Sequence, residues 1–209
     1  MDNITSIGFT ESHLLMISEI LNSLNINPKI YILDNQNRFK SDVNFIKQDY
    51  EIIHHISDNS KNFIFGLAKP NGKKWLFDNF NLEKNKFINL IYNNNNISIY
   101  TEMGVGIRIE PNVCIAPKTI INDFVHINRG CLVGHHCEIG EFSSLNPGVK
   151  TGGNTKIGKC SEIGIGATIL DNIKIGNNTI IGAGSVVTKN IPDNVIAFGN
   201  PCKIIRENE

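Results

Sequence analysis

From Met103 to Pro192 an apolar side chain returns every sixth residue. The chain divides there into fifteen consecutive blocks, beginning MGVGIR and IEPNVC and ending IGAGSV and VTKNIP. The first position is aliphatic or Met in fourteen of the fifteen, Thr151 being the exception. The second position is mostly Gly or Asn, and the fifth mostly small or β-branched. A helix needs apolar spacing near 3.6 and an isolated strand near 2, so neither fits. One large apolar residue with a turn-tolerant Gly or Asn beside it suits a short strand followed by a corner. Stacked units of that kind bury the aliphatic ladder while their backbones pair between coils. The pattern predicts a parallel β-helix. With three sides per coil, the fifteen blocks make five coils, spaced ~4.8 Å apart like neighbouring strands. The period leaves handedness open, although ordinary parallel crossovers are right-handed in ~98% of cases.

Residues 1–92 follow another rhythm. NITSIGF reads as an apolar strand, and Thr10 as the cap of a helix whose apolar face is Leu14, Ile17, Leu21 and Leu24. KIYILD is a second strand ending at Asp34, and NFIFGLA another. GKKWLFDNF reads as helical, and KFINLIY leads into the repeats. Alternating strands and helices predict a small Rossmann-like α/β domain with a parallel sheet over 1–92. The β-helix and a C-terminal tail then occupy 93–209. Ligands on parallel sheets gather at the carboxyl ends of strands, here near residues 8–13, 34–35 and 66–69.

Charge and cysteine usage narrow the function. Lys+Arg and Asp+Glu both total 20, for a formal net charge of zero. No basic stripe points to nucleic acid, and no basic amphipathic helix to a membrane surface. No apolar stretch approaches the ~20 residues that span a bilayer. The start, MDNITSIGFT, lacks a basic segment followed by an apolar run. The five cysteines are odd in number and form no CxxC pair, which favours reduced thiols and a cytoplasmic location. The wealth of Asn, Ile and Lys is read as compositional bias without functional content.

Three longer strings carry a resemblance: INRGCLVGHHCEIGEFSSLNPGVKTGG, IGAGSVVTKNI and the closing GNPCKIIR. With the α/β domain before them, the chain resembles the hexapeptide-repeat acyltransferases with a left-handed β-helix. Within these, GHHCEIGEFS is similar to the sialic acid O-acetyltransferase and bacillosamine-type amino-sugar N-acetyltransferase group. The resemblance implies a left-handed helix, a homotrimer, and acetyl-CoA bound in grooves between subunits, with no metal. It implies a nucleotide-linked amino sugar as acceptor, held partly by the α/β domain, and His135 as general base. For the cofactor it implies contacts at Ser144, Gly153, Ile165 and Ala183. For the acceptor it implies Gly8 and Thr10 in GFTES, Asp34 and Asn35 after the second strand, and Ala68 and Lys69 in LAKPNGK. Lys73 is a further cation there. Glu11 stands where the family has glycine, and His136 where it usually has an acid that orients the base.

The chemistry fits His135 independently. Acetyl transfer needs a neutral amine, or an alcohol losing its proton, to attack a thioester. An imidazole with an ordinary pKa of ~6.5 can take that proton near neutral pH. The thiolate leaves readily, so no covalent enzyme intermediate is required, and fixed backbone N–H groups can stabilise the carbonyl oxygen. Eighteen residues per coil set His135 directly below Gly153, where a glycine lets the thioester approach the backbone closely. His136 is expected to act as an auxiliary group or as a plain corner residue. Three other readings remain open. One is an O-acetyltransferase of sialic acid or a related nonulosonic acid, also using His135. Another is a metal enzyme of the γ-carbonic anhydrase kind, for which His126, His135 and His136 lack the spacing. The last is a non-catalytic scaffold.

Overall fold

The computed structural model describes residues 3–34, 48–56, 60 and 62–209. The first part of the chain runs β1 (Ile4–Ile7), α1 (Glu11–Ser23), β2 (Ile30–Leu33), β3 (Tyr50–Ile53), β4 (Phe63–Phe65) and α2 (Pro70–Asn79). Its four strands lie side by side in the order β3-β2-β1-β4, all parallel. The Thr10 hydroxyl caps α1 by accepting the His13 backbone N–H at 3.4 Å. Leu14, Ile17, Ile20 and Leu21 bury the inner face of α1, while Leu24 falls on its C-cap. β3 is a strand the pattern does not predict: YEII lies at an edge with no fully buried residue, so it lacks a strong apolar signature. After β1 the chain builds to one side through β2 and β3, then crosses to the other side for β4. That reversal opens a crevice beyond the carboxyl ends of β1 and β4.

The β-helix begins at Leu90–Ile91, earlier than the block count from Met103. Ile91 and Ile97 keep the six-residue register, but Asn95 replaces the usual small apolar residue and no glycine marks the corner. From Ile109 to Val187 every first position is buried, and from Ile107 to Ile191 so is every fifth. Paired strands stand eighteen residues apart on three faces: His126 with Ser144 with Glu162, Leu132 with Lys150, and Glu138 with Lys156 with Lys174. Thr151 is tolerated in the ladder because its hydroxyl accepts the Gly134 N–H at 3.0 Å and meets the Cys137 thiol at 3.5 Å.

Second-position Gly and Asn do not make the corners, as the pattern suggests they should. The left-handed backbone falls on the fourth position, with positive φ at every sixth residue from Gly106 to Gly184, including Phe124, His136 and Phe142. Second-position glycines serve close packing of coils instead. A Cβ on Gly140 would come within 2.6 Å of the Gly158 and Lys159 backbone of the next coil.

The α/β domain is seated on the face carrying Arg108, His126 and Ser144. Phe124 and Phe142, at the same corner of successive coils, stack with centroids 4.7 Å apart and meet Phe65, Phe77 and Phe87. Polar groups pin the same seam. The Arg108 guanidinium donates to the Phe65 carbonyl at 2.9 Å, and the fully buried Lys73 ammonium to the Phe124 carbonyl at 2.7 Å. The tail closes the opposite end as an antiparallel pair, Val195–Phe198 with Lys203–Glu207.

Candidate active site

A cavity of about 590 Å³ occupies the crevice beyond β1 and β4. Gly8, Thr10, Asp34, Ala68 and Lys69 all line it, so five of the six expected acceptor residues converge; Asn35 lies outside the described residues. The N-termini of α1 and α2 meet at this cavity, and a helix N-terminus favours anions through its free N–H groups. Glu11 is exposed and takes no part in the lining, so its carboxylate does not face a bound anion. Lys73 is corrected: its ammonium is turned into the domain seam, where carbonyls and the Ser144 hydroxyl occupy it, and it cannot reach a phosphate. Lys69 alone of the two lysines lines the cavity.

Trp75, Asn128, Asn146 and Glu162 also line the cavity and escaped the sequence, while His13 falls within the expected 8–13 stretch but is not among the residues singled out there. Asn128 and Asn146 stand one coil apart at second positions where glycine is common, which was the available signal. Asn146 donates to the Glu162 carboxylate at 3.1 Å. The ring of His13 lies 2.6 Å from the Thr10 hydroxyl through Nδ1 and edge-on to His126, with centroids 5.9 Å apart. Burial, then the Arg108 and Lys73 charges, lower His13 to a pKa of about 4. The same burial and the same cations hold His126 well below the ordinary imidazole range.

These two histidines make stability fall with acid. Between pH 6.5 and about 4 the unfolded chain takes up protons that folded His13 refuses, and His126 refuses them too. Stability is therefore complete above the unfolded pKa and declines as pH falls through this window. Burial pushes the Glu110 carboxyl upward, which acts in the opposite sense. Thermal midpoints measured between pH 7.5 and 4.5 are expected to fall, and His13→Asn to flatten the slope.

His135 and His136 occupy another corner, exposed to solvent, with His136 in the left-handed conformation. Their Nδ1 atoms are 3.0 Å apart and the rings perpendicular, so one nitrogen donates and the other accepts. When His135 is the donor, its Nε2 carries the free lone pair. The space left by Gly153 holds the His135 ring: a Cβ there would lie 2.5 Å from Cε1 and 2.6 Å from Nε2. The expected room for a thioester is thus filled by imidazole, and the Gly153 N–H is taken by the Asp171 carboxylate at 2.6 Å.

Ser144 does not lie on an open groove. It is 1% exposed beneath the α/β domain, and its hydroxyl donates to the Ala68 carbonyl. Ile165 and Ala183 are exposed and share one corner column, eighteen residues apart. That column differs from the one holding His135 and Gly153. His126 is buried on the seam, away from the His135 corner, and no group of metal-ligating side chains is gathered among the described residues. Nor, among them, is any helix long and apolar enough to cross a membrane.

Fold and repeats together define a left-handed β-helix of hexapeptide repeats behind a small parallel α/β domain. Residues 154–189 match the bacterial transferase hexapeptide family, described as six repeats. Among solved structures, the whole architecture is shared with perosamine N-acetyltransferase from Caulobacter crescentus, a variant solved with CoA and GDP-perosamine. The two are 23% identical over 99% of this chain and 97% of that one, with a TM-score of 0.80. The acetyltransferase domain of PglB from Neisseria gonorrhoeae, in complex with acetyl coenzyme A, is 23% identical over 98% of both chains, with a TM-score of 0.83. WeeI from Acinetobacter baumannii is 22% identical over 98% of this chain and 100% of its own, with a TM-score of 0.79. At such identities the likeness is one of fold. No curated protein is significantly similar to the chain in sequence.

Proposed function

We propose that the protein is an acetyl-CoA-dependent N-acetyltransferase acting on a nucleotide-linked amino sugar for surface-glycan biosynthesis. The observation that carries this reading is the pairing of an anion-favouring cavity with an exposed, braced histidine on one rigid β-helix. The structural neighbours bound to CoA, one with GDP-perosamine as well, support the same chemistry. The cavity takes the nucleotide end of the acceptor, with Lys69 and two helix N-termini near its diphosphate. Gly8 and Thr10 shape the turn, Asp34 meets the nucleoside, and Ala68 offers backbone.

His135 is the general base. With its Nδ1–H donated to His136, Nε2 accepts the amine proton as nitrogen attacks the thioester carbonyl. The N–C bond forms, the C–S bond breaks, and the proton passes on to the leaving thiolate. His136 thereby does what an acid does elsewhere, fixing the tautomer, but it supplies no negative charge to strengthen the base. Nitrogen is the acceptor atom favoured by such a pair, because a neutral amine attacks more readily than an alcohol. Within one chain the cavity and His135 lie at different corners. A homotrimer would present His135 of one subunit to the cavity of the next. Exposed Leu132, Ile165 and Leu170 on the β-helix support such packing. Acetyl-CoA would then run between subunits past Ile165 and Ala183, with its thioester at the exposed side of the His135 ring that Gly153 seats. A cytoplasmic location accords with that donor.

The test is thiol release from acetyl-CoA against UDP-, dTDP- and GDP-linked amino sugars, with free sialic acids alongside. Turnover of one nucleotide amino sugar is the expected result. Turnover only of a nonulosonic acid would move the acceptor atom to oxygen. Silence across the panel together with no acetyl-CoA binding would sink the enzyme reading.

A further inference from the structure

Trp75 is the only tryptophan in the chain, and it is 50% exposed. An indole is usually well buried with its N–H bonded. Here the N–H has no hydrogen-bond partner among the described residues. The ring is nevertheless held: Phe80 abuts it edge to face, with centroids 6.3 Å apart at 76°. Trp75 stands three residues beyond Gly72, one turn along α2, and Gly72, Trp75 and Leu76 all line the cavity. Lys69, at the start of that helix, has no ion-pair partner among the described residues. From Lys69 to Trp75 is six residues, or roughly 9 Å along the helix axis. One wall of the cavity therefore carries an unpaired cation at one end and an uncovered aromatic face at the other.

We infer that Trp75 is the platform on which the aromatic base of the nucleotide stacks, with the diphosphate toward Lys69. This rests on the nucleotide-sugar reading above and adds what selects the nucleoside. Every base has a π face, so stacking holds it firmly without reading its edges. Discrimination among bases then falls to the polar groups that line the same cavity, Asp34 among them.

Because Trp75 is the sole tryptophan, its emission reports this site in the intact protein. The full chain is titrated with UDP, GDP and dTDP, with pyrophosphate and a free amino sugar as non-aromatic controls, and binding is followed in parallel by calorimetry. Saturable quenching by at least one nucleoside diphosphate, and none by the controls, is expected. Trp75→Leu should raise the KM for the nucleotide sugar about 10-fold with kcat within about twofold, while Trp75→Phe keeps most of the affinity. Calorimetric binding with unmoved emission, or a Trp75→Leu variant with unchanged KM, overturns stacking and leaves the transferase reading standing. Quenching by the free sugar alone would make the ring a sugar platform and also overturn it. Emission that changes with protein concentration but not with nucleotide would mean that a second copy covers Trp75, and stacking would again be overturned. Absence of any nucleotide binding by calorimetry removes the nucleotide reading, and the stacking with it.

Discussion

Replacement of His135 by alanine is expected to lower kcat by about 10²–10⁴-fold, the usual contribution of a positioned acid or base. Acetyl-CoA binding and the thermal midpoint should change little, because the side chain is exposed and its ring rests only on the surface of the coil, against Gly153 and His136. What makes the imidazole effective is its fixed place. The His135 carbonyl accepts the Asn154 N–H at 2.8 Å, the Gly153 carbonyl accepts the Asn172 N–H at 2.9 Å, and His136 holds Nδ1. Gly153→Ala is the companion variant. Its methyl would enter the space of the imidazole, and two coils bonded on either side leave the backbone little freedom to retreat. The ring must swing away, at a cost in kcat of about 10²-fold for a displacement near 1 Å. Single-turnover measurement of acetyl transfer, with cofactor affinity measured separately, checks both. An active His135→Ala enzyme would rule out this base.

The largest expected effect on stability follows from Glu110→Ala. Glu110 is wholly buried, 3.3 Å from Arg108 Nε and 3.3 Å from His126 Nε2, with Arg129 at 3.9 Å. Burial lowers Arg108 to a pKa of about 10 despite the opposing pull of Glu110. Without that carboxylate, a buried guanidinium keeps its desolvation cost and loses its nearest counter-charge. Removing one partner of a buried pair costs about 3–5 kcal/mol, whereas replacing both by apolar residues is often neutral. Arg108→Met combined with Glu110→Leu should therefore recover most of the loss. Urea midpoints at constant slope for the single and double variants test this. The Arg108 guanidinium also bonds the Phe65 carbonyl at the end of β4, so the single variant should raise the acceptor KM as well.

Some of this architecture is local and could be read directly. A ladder repeating at six admits no helix and no lone strand, and Thr10 caps α1 because a hydroxyl there satisfies a free N–H. The two further blocks from Ile91 were legible in register but hidden by Asn95 and by the lack of a corner glycine. β3 was not legible, since an edge strand needs little apolar surface. Among site residues, Gly8, Thr10, Asp34, Ala68 and Lys69 follow strand ends, which sequence places well. Ser144 and Lys73 were misplaced because period alone does not say which face another domain will cover. His13 and Trp75 sit on helices whose apolar positions look alike whether they pack or line a cavity.

By itself, then, the sequence determined the β-helix, the parallel α/β domain before it, and the stacking of His135 on Gly153, for these depend only on spacing along the chain. Tertiary structure alone decided that Lys73, Arg108, Glu110 and His126 are consumed in a buried seam. It also decided that Trp75 is left uncovered, and that the cavity and His135 occupy different corners. Those outcomes depend on which surfaces meet. Contact between elements far apart in sequence leaves no period to read.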